Sequence, residues 1–211
     1  MIKMRKGRML MLAVLLGAMA LTACNDDNTP PNQFTFDGET YSFTHGFMYN
    51  DTIVDDSIYV NSIVLLSEDL KVHWTDDHSD IDSITGRGEA LTMIMFSTEY
   101  DGPASGTYLH DSLDIFRKGG LSELPKLFVW VYGDLLINYA PEGKEIGNKY
   151  RLTGGTMKVN KKGGNRFEFT FDLQTEDGKE AKGFSSVILE TFMEQMSEGT
   201  GASKFIPFVV K

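Results

Sequence analysis

The segment from Arg166 to Leu173 alternates without a break between apolar and polar residues. Successive side chains of a β-strand point to opposite faces, so this period of two predicts a strand with one buried and one solvated face. A glycine-containing turn at 161–165 leads into the strand from residues 156–159, and Asp177-Gly178 leads out of it toward residues 182–184. These turns predict a three-stranded antiparallel meander.

Further β-strand patterns begin at residue 34. Phe34-Thr35-Phe36, Asp37-Gly38 and residues 40–43 predict an opening hairpin, since Asp-Gly supplies the positive φ angles of a tight turn. Residues 57–66 are rich in β-formers and predict a strand. Residues 88–96 are apolar on both faces, which predicts a strand between two layers.

Two segments are more ambiguous. Residues 127–139 predict either a hairpin turning at Gly133-Asp134 or one long strand with a glycine bulge. Residues 190–196 predict a helical turn or two. Because helical periodicity is absent between residues 34 and 189, the sequence predicts an all-β domain, built as an antiparallel β-sandwich or a partly closed barrel.

The first 23 residues have the pattern of a signal peptide. Four basic residues precede Met9–Leu21, an uncharged apolar run of thirteen residues, which is too short to span a bilayer comfortably. The following Leu21-Thr22-Ala23-Cys24 resembles the lipobox of bacterial lipoproteins. This resemblance implies cleavage before Cys24 and lipidation of Cys24, with more than one acyl chain giving a stable anchor. A buried helix or an uncleaved membrane anchor is the alternative.

Residues 24–33 are polar, acidic and contain two prolines, which is typical of an extended spacer. Asp26 and Asp27 resemble the surface-export signal of Bacteroidota lipoproteins, and a plain polar linker is the alternative. We therefore expect a signal peptide at 1–23, a flexible acidic tether at 24–33 and a single β-rich domain at 34–211.

The opening hairpin and the meander together resemble uncharacterised β-rich surface lipoproteins of Bacteroidota. The resemblance is one of turns and aromatic residues, and it implies an outer-membrane location with exposure at the cell surface. Those proteins commonly end soon after the strand at 182–184, whereas this chain continues to Lys211.

The charge of the chain excludes one class of partner. The leader holds four of the 20 basic residues and none of the 30 acidic ones, so the remainder has 16 basic against 30 acidic residues, a net charge of −14. Such a chain repels phosphate backbones, which argues against nucleic-acid binding. Cys24 is the only cysteine, so after lipidation we expect no disulfide.

One acidic segment offers donors for a cation: His73, Asp76, Asp77, His78, Asp80 and Asp82. When the segment is aligned with an EF-hand loop, Asp80, Asp82 and Glu89 fall at the third, fifth and twelfth positions. However, His78 stands where the first aspartate is needed, and Ser83 stands in place of the glycine of the sharp turn. We therefore expect a solvated acidic loop and no bound metal.

Catalytic and ligand-binding motifs are sparse. The chain has no Gly-x-Ser-x-Gly turn and no phosphate-binding glycine loop. His110, Asp111 and Ser112 are of the residue types found in catalytic triads. Their adjacency has little weight, because triads are assembled in space from separated positions. We assign no catalytic residue and no cofactor. Trp74, beside the acidic segment, is a candidate ligand contact, whereas Trp130 lies in an apolar run and is expected in the core.

Four hydroxyl residues follow an aspartate and precede an aliphatic residue: Thr52, Ser57, Ser83 and Ser112. The pattern resembles the O-glycosylation acceptor motif of exported Bacteroidota proteins, and average composition gives about one match by chance. The same pattern is ordinary for a turn that leads into a strand. Both interpretations stay open from the sequence.

The sequence predicts a lipid-anchored lipoprotein of the cell envelope that acts as a non-enzymatic binding or structural module. Its partners would be the membrane, through the lipid, and a glycan, small ligand or protein. The alternative is an envelope hydrolase with a carboxylate-based site, because a chain this acidic offers many carboxylates without singling out two of them.

We predict that Cys24→Ser abolishes labelling with palmitate and releases the protein from the membrane fraction, because the lipid is attached to this side chain. Metabolic labelling followed by fractionation measures both effects. Palmitate label on the Cys24→Ser variant would contradict the anchor assignment.

Overall fold

The computed structural model describes residues 30–54, 58–76, 80–111, 128–142 and 147–193, and the regular structure in these ranges is entirely β. The strands are β1 (Gln33–Phe36), β2 (Glu39–Tyr41), β3 (His45–Val54), β4 (Ile58–Leu66), β5 (Leu70–Trp74), β6 (Ile81–Gly86), β7 (Gly88–Ser97), β8 (Gly106–His110), β9 (Val129–Tyr139), β10 (Asn148–Gly163), β11 (Arg166–Thr175) and β12 (Glu180–Met193). The all-β prediction is confirmed. Within the described residues, no helix is long and apolar enough to cross a membrane.

Ten of the strands form one mixed sheet that curls into a partly closed ring. Pairings lead from β3 through β4, β7, β9, β10 and β11 to β12, and β12 pairs with β3. Strand β8 lies between β9 and β10, and the β1–β2 hairpin adds to a free edge of β12. The pairings of β3 with β12 and of β8 with β9 are parallel. Of the two architectures expected, the partly closed barrel is the one formed.

The predicted meander is present as β10, β11 and β12, which pair in sequence order. The opening hairpin is also present, and its turn places Asp37 and Gly38 at φ angles of 52° and 83°. These positive values explain why Asp-Gly, and not a pair of bulky residues, occupies the turn.

The ambiguous segment at 127–139 forms one long strand, β9, and no hairpin. Gly133 pairs with Met93 in regular register, and the irregularities of the β7–β9 pair lie elsewhere. A Cβ at position 133 would lie 2.9 Å from Cδ1 of Leu152 and 3.0 Å from the carbonyl oxygen of Thr92. Glycine is therefore needed for close packing and not for a turn or a bulge.

The predicted helical turn is wrong over residues 190–193, where β12 continues to Met193. Leu189 to Met193 pair with Gly46 to Asn50 of β3, so a long-range ladder replaces local helical hydrogen bonds. Residues 194–196 lie outside the described residues, as do the predicted signal peptide, Cys24, Asp26 and Asp27.

The interior of the ring is filled with side chains. Phe167, Phe169, Phe171 and Leu173 of β11 are buried there with apolar residues of the other ring strands. A second apolar cluster lies on the outer face, where the small β5–β6 sheet covers residues of β3, β4, β7 and β9. Strand β7 contributes to both clusters, which is the two-layer environment that its sequence predicts.

We predict that Phe169→Ala lowers the free energy of unfolding by about 3–5 kcal/mol, because it deletes a buried aromatic ring. Phe169 is 1% exposed and packs against Phe167, with ring centroids 6.2 Å apart. Arg166→Ala, at an exposed position of the same strand, is the control and should change little. A denaturant titration measures both, and equal losses would contradict the assigned facing.

Candidate functional site

A group of polar side chains lies inside the ring at one end, and we call Asn50, Asn61, Ser97, His110 and Trp130 the interior polar cluster. In each strand, successive side chains alternate between the interior and the outer face, and this alternation places the five residues inside the ring. Met48 and Ile63 belong to the ring interior, so Asn50 and Asn61, two positions away, share that face. Met95 and Tyr108 are also interior residues, so Ser97 and His110, each two positions further along its strand, share the interior face. The apolar inner surface of the ring is therefore followed by a polar inner surface at this end.

Strand register brings most of the cluster into one row. Asn50 pairs with Asn61, and Asn61 pairs with Met95. Met95 pairs with Trp130, and Trp130 pairs with His110 of the parallel strand β8. A belt across five adjacent strands is thus formed by Asn50, Asn61, Met95, Trp130 and His110. Ser97 lies two residues beyond Met95, toward the end of the ring.

The belt contains buried polar atoms with no hydrogen-bond partner among the residues that the structure describes. They are both amide atoms of Asn50, Oδ1 of Asn61 and Nε1 of Trp130, and these side chains are 4%, 0% and 0% exposed. By contrast, Nδ2 of Asn61 donates to Oγ of Ser97 at 3.2 Å. Leaving a buried donor or acceptor unpaired costs about 1–3 kcal/mol, and native structures contain few such groups. The belt therefore holds hydrogen-bonding capacity that the fold itself does not use.

The belt contains one titratable side chain, that of His110. The His110 ring lies over Trp130, with centroids 4.3 Å apart and planes tilted by 52°. Burial lowers the pKa of His110 from its ordinary value of 6.5, although Asp111 opposes the shift. Burial therefore favours the neutral form of the imidazole.

The loop at 98–105 closes this end of the ring. Nζ of Lys161 binds Glu99 and Asp101 of the loop at 2.9 and 2.7 Å. Oγ of Ser97 donates to the carbonyl oxygen of Glu99 at 3.2 Å, and the Tyr108 hydroxyl donates to the carbonyl oxygen of Ala104 at 2.9 Å. The loop is therefore fixed from inside the ring as well as from its rim.

Tyrosines stand at the rim of the same end. Tyr100 of the loop is 41% exposed and meets Tyr59 of β4 edge-on, with centroids 5.4 Å apart. Tyr59 pairs with Ser97, one step from Asn61 toward the rim. An aromatic pair thus borders the interior polar cluster.

A second polar group, on strands β9 and β10, is fully bonded. Oδ1 of buried Asp134 accepts from Nε of Arg151 at 2.8 Å, and Oδ2 is 3.0 Å from Nζ of Lys149. The Tyr132 hydroxyl donates to Oδ2 at 2.6 Å. Burial, followed by the neighbouring Asp134, raises the pKa of Tyr132 to about 12. Since both carboxylate oxygens are engaged, this group is suited to holding the strands together.

A third group lines an open depression that includes Tyr41, Ser67, Glu68, Asp69 and Glu89. Burial raises the pKa of Glu89, with a further contribution from Asp69, while a hydrogen bond from Ser67 opposes the shift. A carboxyl group with a raised pKa beside other acids is the feature that a carboxylate-based hydrolase would need.

The candidate ligand contact Trp74 lies on the outer face, away from the ring interior. It is half-buried in the outer apolar cluster and meets Phe47 edge-on, with centroids 6.3 Å apart. This packing gives Trp74 a role in holding the small sheet. Its binding role stays a prediction.

The acidic segment is bonded locally where it is described. Nε2 of His73 lies 2.8 Å from Oγ1 of Thr85, and Oδ1 of Asp80 accepts from the backbone N–H of Ile81 at 2.8 Å. Asp76 and Asp82 are exposed, and Asp77 and His78 lie outside the described residues. In the described part of the chain, no group of three or more histidines, cysteines or acids could hold a metal ion.

The candidate glycosylation residues are only partly described. Ser83 is half-buried within β6, and its hydroxyl lies 3.4 Å from Oδ2 of Asp82. It therefore lies inside a strand and not in a solvated loop. Thr52 belongs to β3, whereas Ser57 and Ser112 lie outside the described residues. Modification of these residues stays a prediction.

Sequence reasoning did not single out Asn50 or Asn61. The signal was present, because Asn61 interrupts the apolar strand at 58–66 and asparagine is disfavoured in strands. Trp130 was expected in the core and is buried there, but its unpaired Nε1 also makes it part of the polar cluster.

Comparison with models of known protein families found no match for this chain, and comparisons with curated proteins and with solved structures found none either. Functional inference therefore starts from the residues of the chain itself.

We predict that Asn50→Leu leaves the free energy of unfolding unchanged or raises it by about 1–3 kcal/mol, because it removes buried polar atoms that lack partners. Asn160→Leu is the control, since Nδ2 of Asn160 donates to Glu168 on the surface at 3.0 Å. A urea titration compares the two variants with the parent. A loss of stability for Asn50→Leu would show that Asn50 is bonded in the folded protein.

Proposed function

We propose that this chain is a lipoprotein of the outer membrane, anchored by lipid on Cys24 and exposed at the cell surface, which acts as a non-enzymatic binding or structural module. The basic segment, the apolar run and the lipobox-like sequence before Cys24 support the anchor. The acidic pair at 26–27 supports surface export. The net charge of −14 after the leader supports a partner other than nucleic acid.

The binding role rests on one observation, the unpaired buried atoms of Asn50, Asn61 and Trp130. Such groups reduce the stability of the fold, and natural proteins keep costs of this kind mainly where function requires them. The interior polar cluster is therefore the site at which we place a ligand.

A non-enzymatic role is supported by the chemistry of the same cluster. Its unpaired atoms belong to amides and an indole, which bind and orient but do not act as nucleophiles or proton carriers near neutral pH. The buried Asp134 has both oxygens engaged by Arg151, Lys149 and Tyr132. Asp134 is therefore not free to act as an acid or base, and His110 is the one residue of the interior polar cluster whose side chain can carry a proton near neutral pH.

A carboxylate-based hydrolase is the second candidate, favoured by the raised pKa of Glu89 beside Asp69. The depression that contains both residues is open on the surface. Hydrolysis by two carboxylates usually needs them to face each other across the bound substrate. For this reason we rank binding above hydrolysis.

We predict that at least one class of small molecule raises the melting temperature of the full lipidated protein in detergent, and that the increase is lost in Asn50→Leu. The classes to compare are neutral sugars, sugar acids, amino acids, nucleosides and fatty acids. A ligand at 100 times its Kd stabilises the folded state by about 2.7 kcal/mol, which a thermal scan resolves.

Asn160→Leu should retain the increase, because this residue is on the surface. The binding role fails if no class raises the melting temperature, or if the increase persists in Asn50→Leu.

A further inference from the structure

We infer that Lys149, Arg151 and Thr153 bind the carboxylate group of a small molecule on the outer face of the ring. Together with Glu176, they line an open depression on the surface, which we call the β10 depression. The site is separate from the interior polar cluster, so this inference goes beyond the proposed function, and neither depends on the other.

Strand β10 presents the three residues on one face. Tyr150 and Leu152 pack with the interior core, so the residues on either side of each of them face outward. Arg151 pairs with Asp134 of β9, which brings its guanidinium group against a buried carboxylate. The register of β9 and β10 therefore places two cations and a hydroxyl group along the same stretch of surface.

Both oxygens of Asp134 are engaged, whereas the guanidinium of Arg151 is bonded along one edge. Nε donates to Oδ1 of Asp134 at 2.8 Å, and Nη2 donates to the Tyr132 hydroxyl at 3.1 Å. Nε–H and one Nη2–H lie on the same edge of this planar group. The other edge, formed by Nη1–H and the second Nη2–H, has no partner among the residues that the structure describes.

The unused edge of Arg151 has the geometry that a carboxylate matches. Its two N–H groups are parallel donors, and the two oxygens of a carboxylate accept such a pair in a bidentate arrangement. The guanidinium carbon also lies 4.2 Å from the centroid of the Tyr132 ring, so the group is already held in place and loses little freedom on binding. The side chain of Arg151 is 42% exposed, so a ligand in solution can reach it.

Lys149 adds a second cation to the β10 depression. Its Nζ lies 3.0 Å from Oδ2 of Asp134, and its side chain is 29% exposed. An ammonium group has three N–H donors, of which Asp134 takes one. Lys149 and Arg151 thus carry two positive charges against the single charge of Asp134, in a chain whose net charge after the leader is −14. Unused donors and positive charge coincide at this place.

Glu176 limits which anions fit. It lines the same depression with an exposed side chain, and its backbone N–H donates to the carbonyl oxygen of Arg151 at 2.8 Å. Among the described residues, Lys149 and Arg151 form their ion pairs with Asp134 and not with Glu176. With Glu176 included, two positive and two negative groups cancel. A dianion such as phosphate would therefore be repelled more strongly than a carboxylate, which has a single charge.

The arginines of the chain allow a direct test. The chain has six arginines and two of them lie in the leader, so four remain. In the full lipidated protein in detergent, isotope-labelled at the arginine nitrogens, Arg151→Lys assigns the Arg151 resonances by NMR. Sodium acetate should shift these resonances with saturation, whereas acetamide and sodium chloride at equal ionic strength should not. Arg166, exposed on β11, is the internal control.

Further probes refine the ligand class. Glucuronate and N-acetylalanine compare a sugar acid with a peptide terminus as the source of the carboxylate, and tighter binding of either one identifies the source. Inorganic phosphate, as the dianion, tests the preference for a single charge and should bind more weakly than acetate.

Lys149→Gln should weaken acetate binding by about tenfold, the effect of losing one charge-assisted hydrogen bond. Glu176→Gln should tighten it by about twofold to fivefold, because it removes an exposed charge that repels the ligand. Lys158→Gln on the same strand and Glu68→Gln elsewhere on the surface are the matched controls and should leave the affinity unchanged. Circular dichroism checks that each variant retains its β-structure.

The opposite outcomes overturn the inference. Equal shifts at all arginines, or an equal response to chloride, would reduce the effect to ionic strength. Tighter binding of the phosphate dianion would contradict the carboxylate class, and unchanged affinity in both Lys149→Gln and Glu176→Gln would contradict the site. Asn50→Leu should bind acetate as the parent does. This variant therefore separates the β10 depression from the interior polar cluster, and failure of one site leaves the other standing.

Discussion

The closure of the sheet through β12 is the constraint on which the rest of the structure depends. A strand has two edges of unpaired N–H and C=O groups, and both edges of β12 are used. One edge pairs with β11 over residues 180–188, and the other pairs with β1 and then with β3. Without the pairing to β3, the sheet would be open and the aromatic face of β11 would lack a cover. The filled interior and the buried polar belt both follow from this closure.

The sequence was sufficient for elements whose signal is local. The alternation at 166–173, the Asp-Gly turns and the two-faced apolar run at 88–96 depend on neighbouring residues, and the structure has all three. The segment at 190–193 was predicted incorrectly because its partner, β3, lies more than 140 residues earlier in the chain. Local propensity cannot include the stabilisation that such a distant ladder provides. The same reason explains why the sequence could not decide between a β-sandwich and a partly closed barrel.

The candidate site was less predictable than the fold, because its meaning depends on which face of a strand is inward. Asn50 and Asn61 are ordinary polar residues in the sequence, and only the register of β3, β4, β7 and β9 places their amides in one row with Trp130. The two tryptophans show the same difficulty. Trp74 was favoured for its acidic neighbours but packs on Phe47, whereas Trp130 was assigned to the core and also belongs to the site. By contrast, the lipobox-like sequence is a linear pattern that the sequence shows directly, and its assignment stays a prediction.

The β1–β2 hairpin would have a mechanical consequence if the protein is tethered at its N-terminal end as proposed. The four residues of β1 pair with Ala181 to Phe184 of β12. A pull on the N-terminal spacer would therefore reach β1 first. Extracting this strand breaks a short ladder and withdraws Phe34 and Phe36 from the core. The pairings of β12 with β11 and β3 do not involve β1 and would remain in place. Under such a load the hairpin would separate first, while the ring around the belt stays closed.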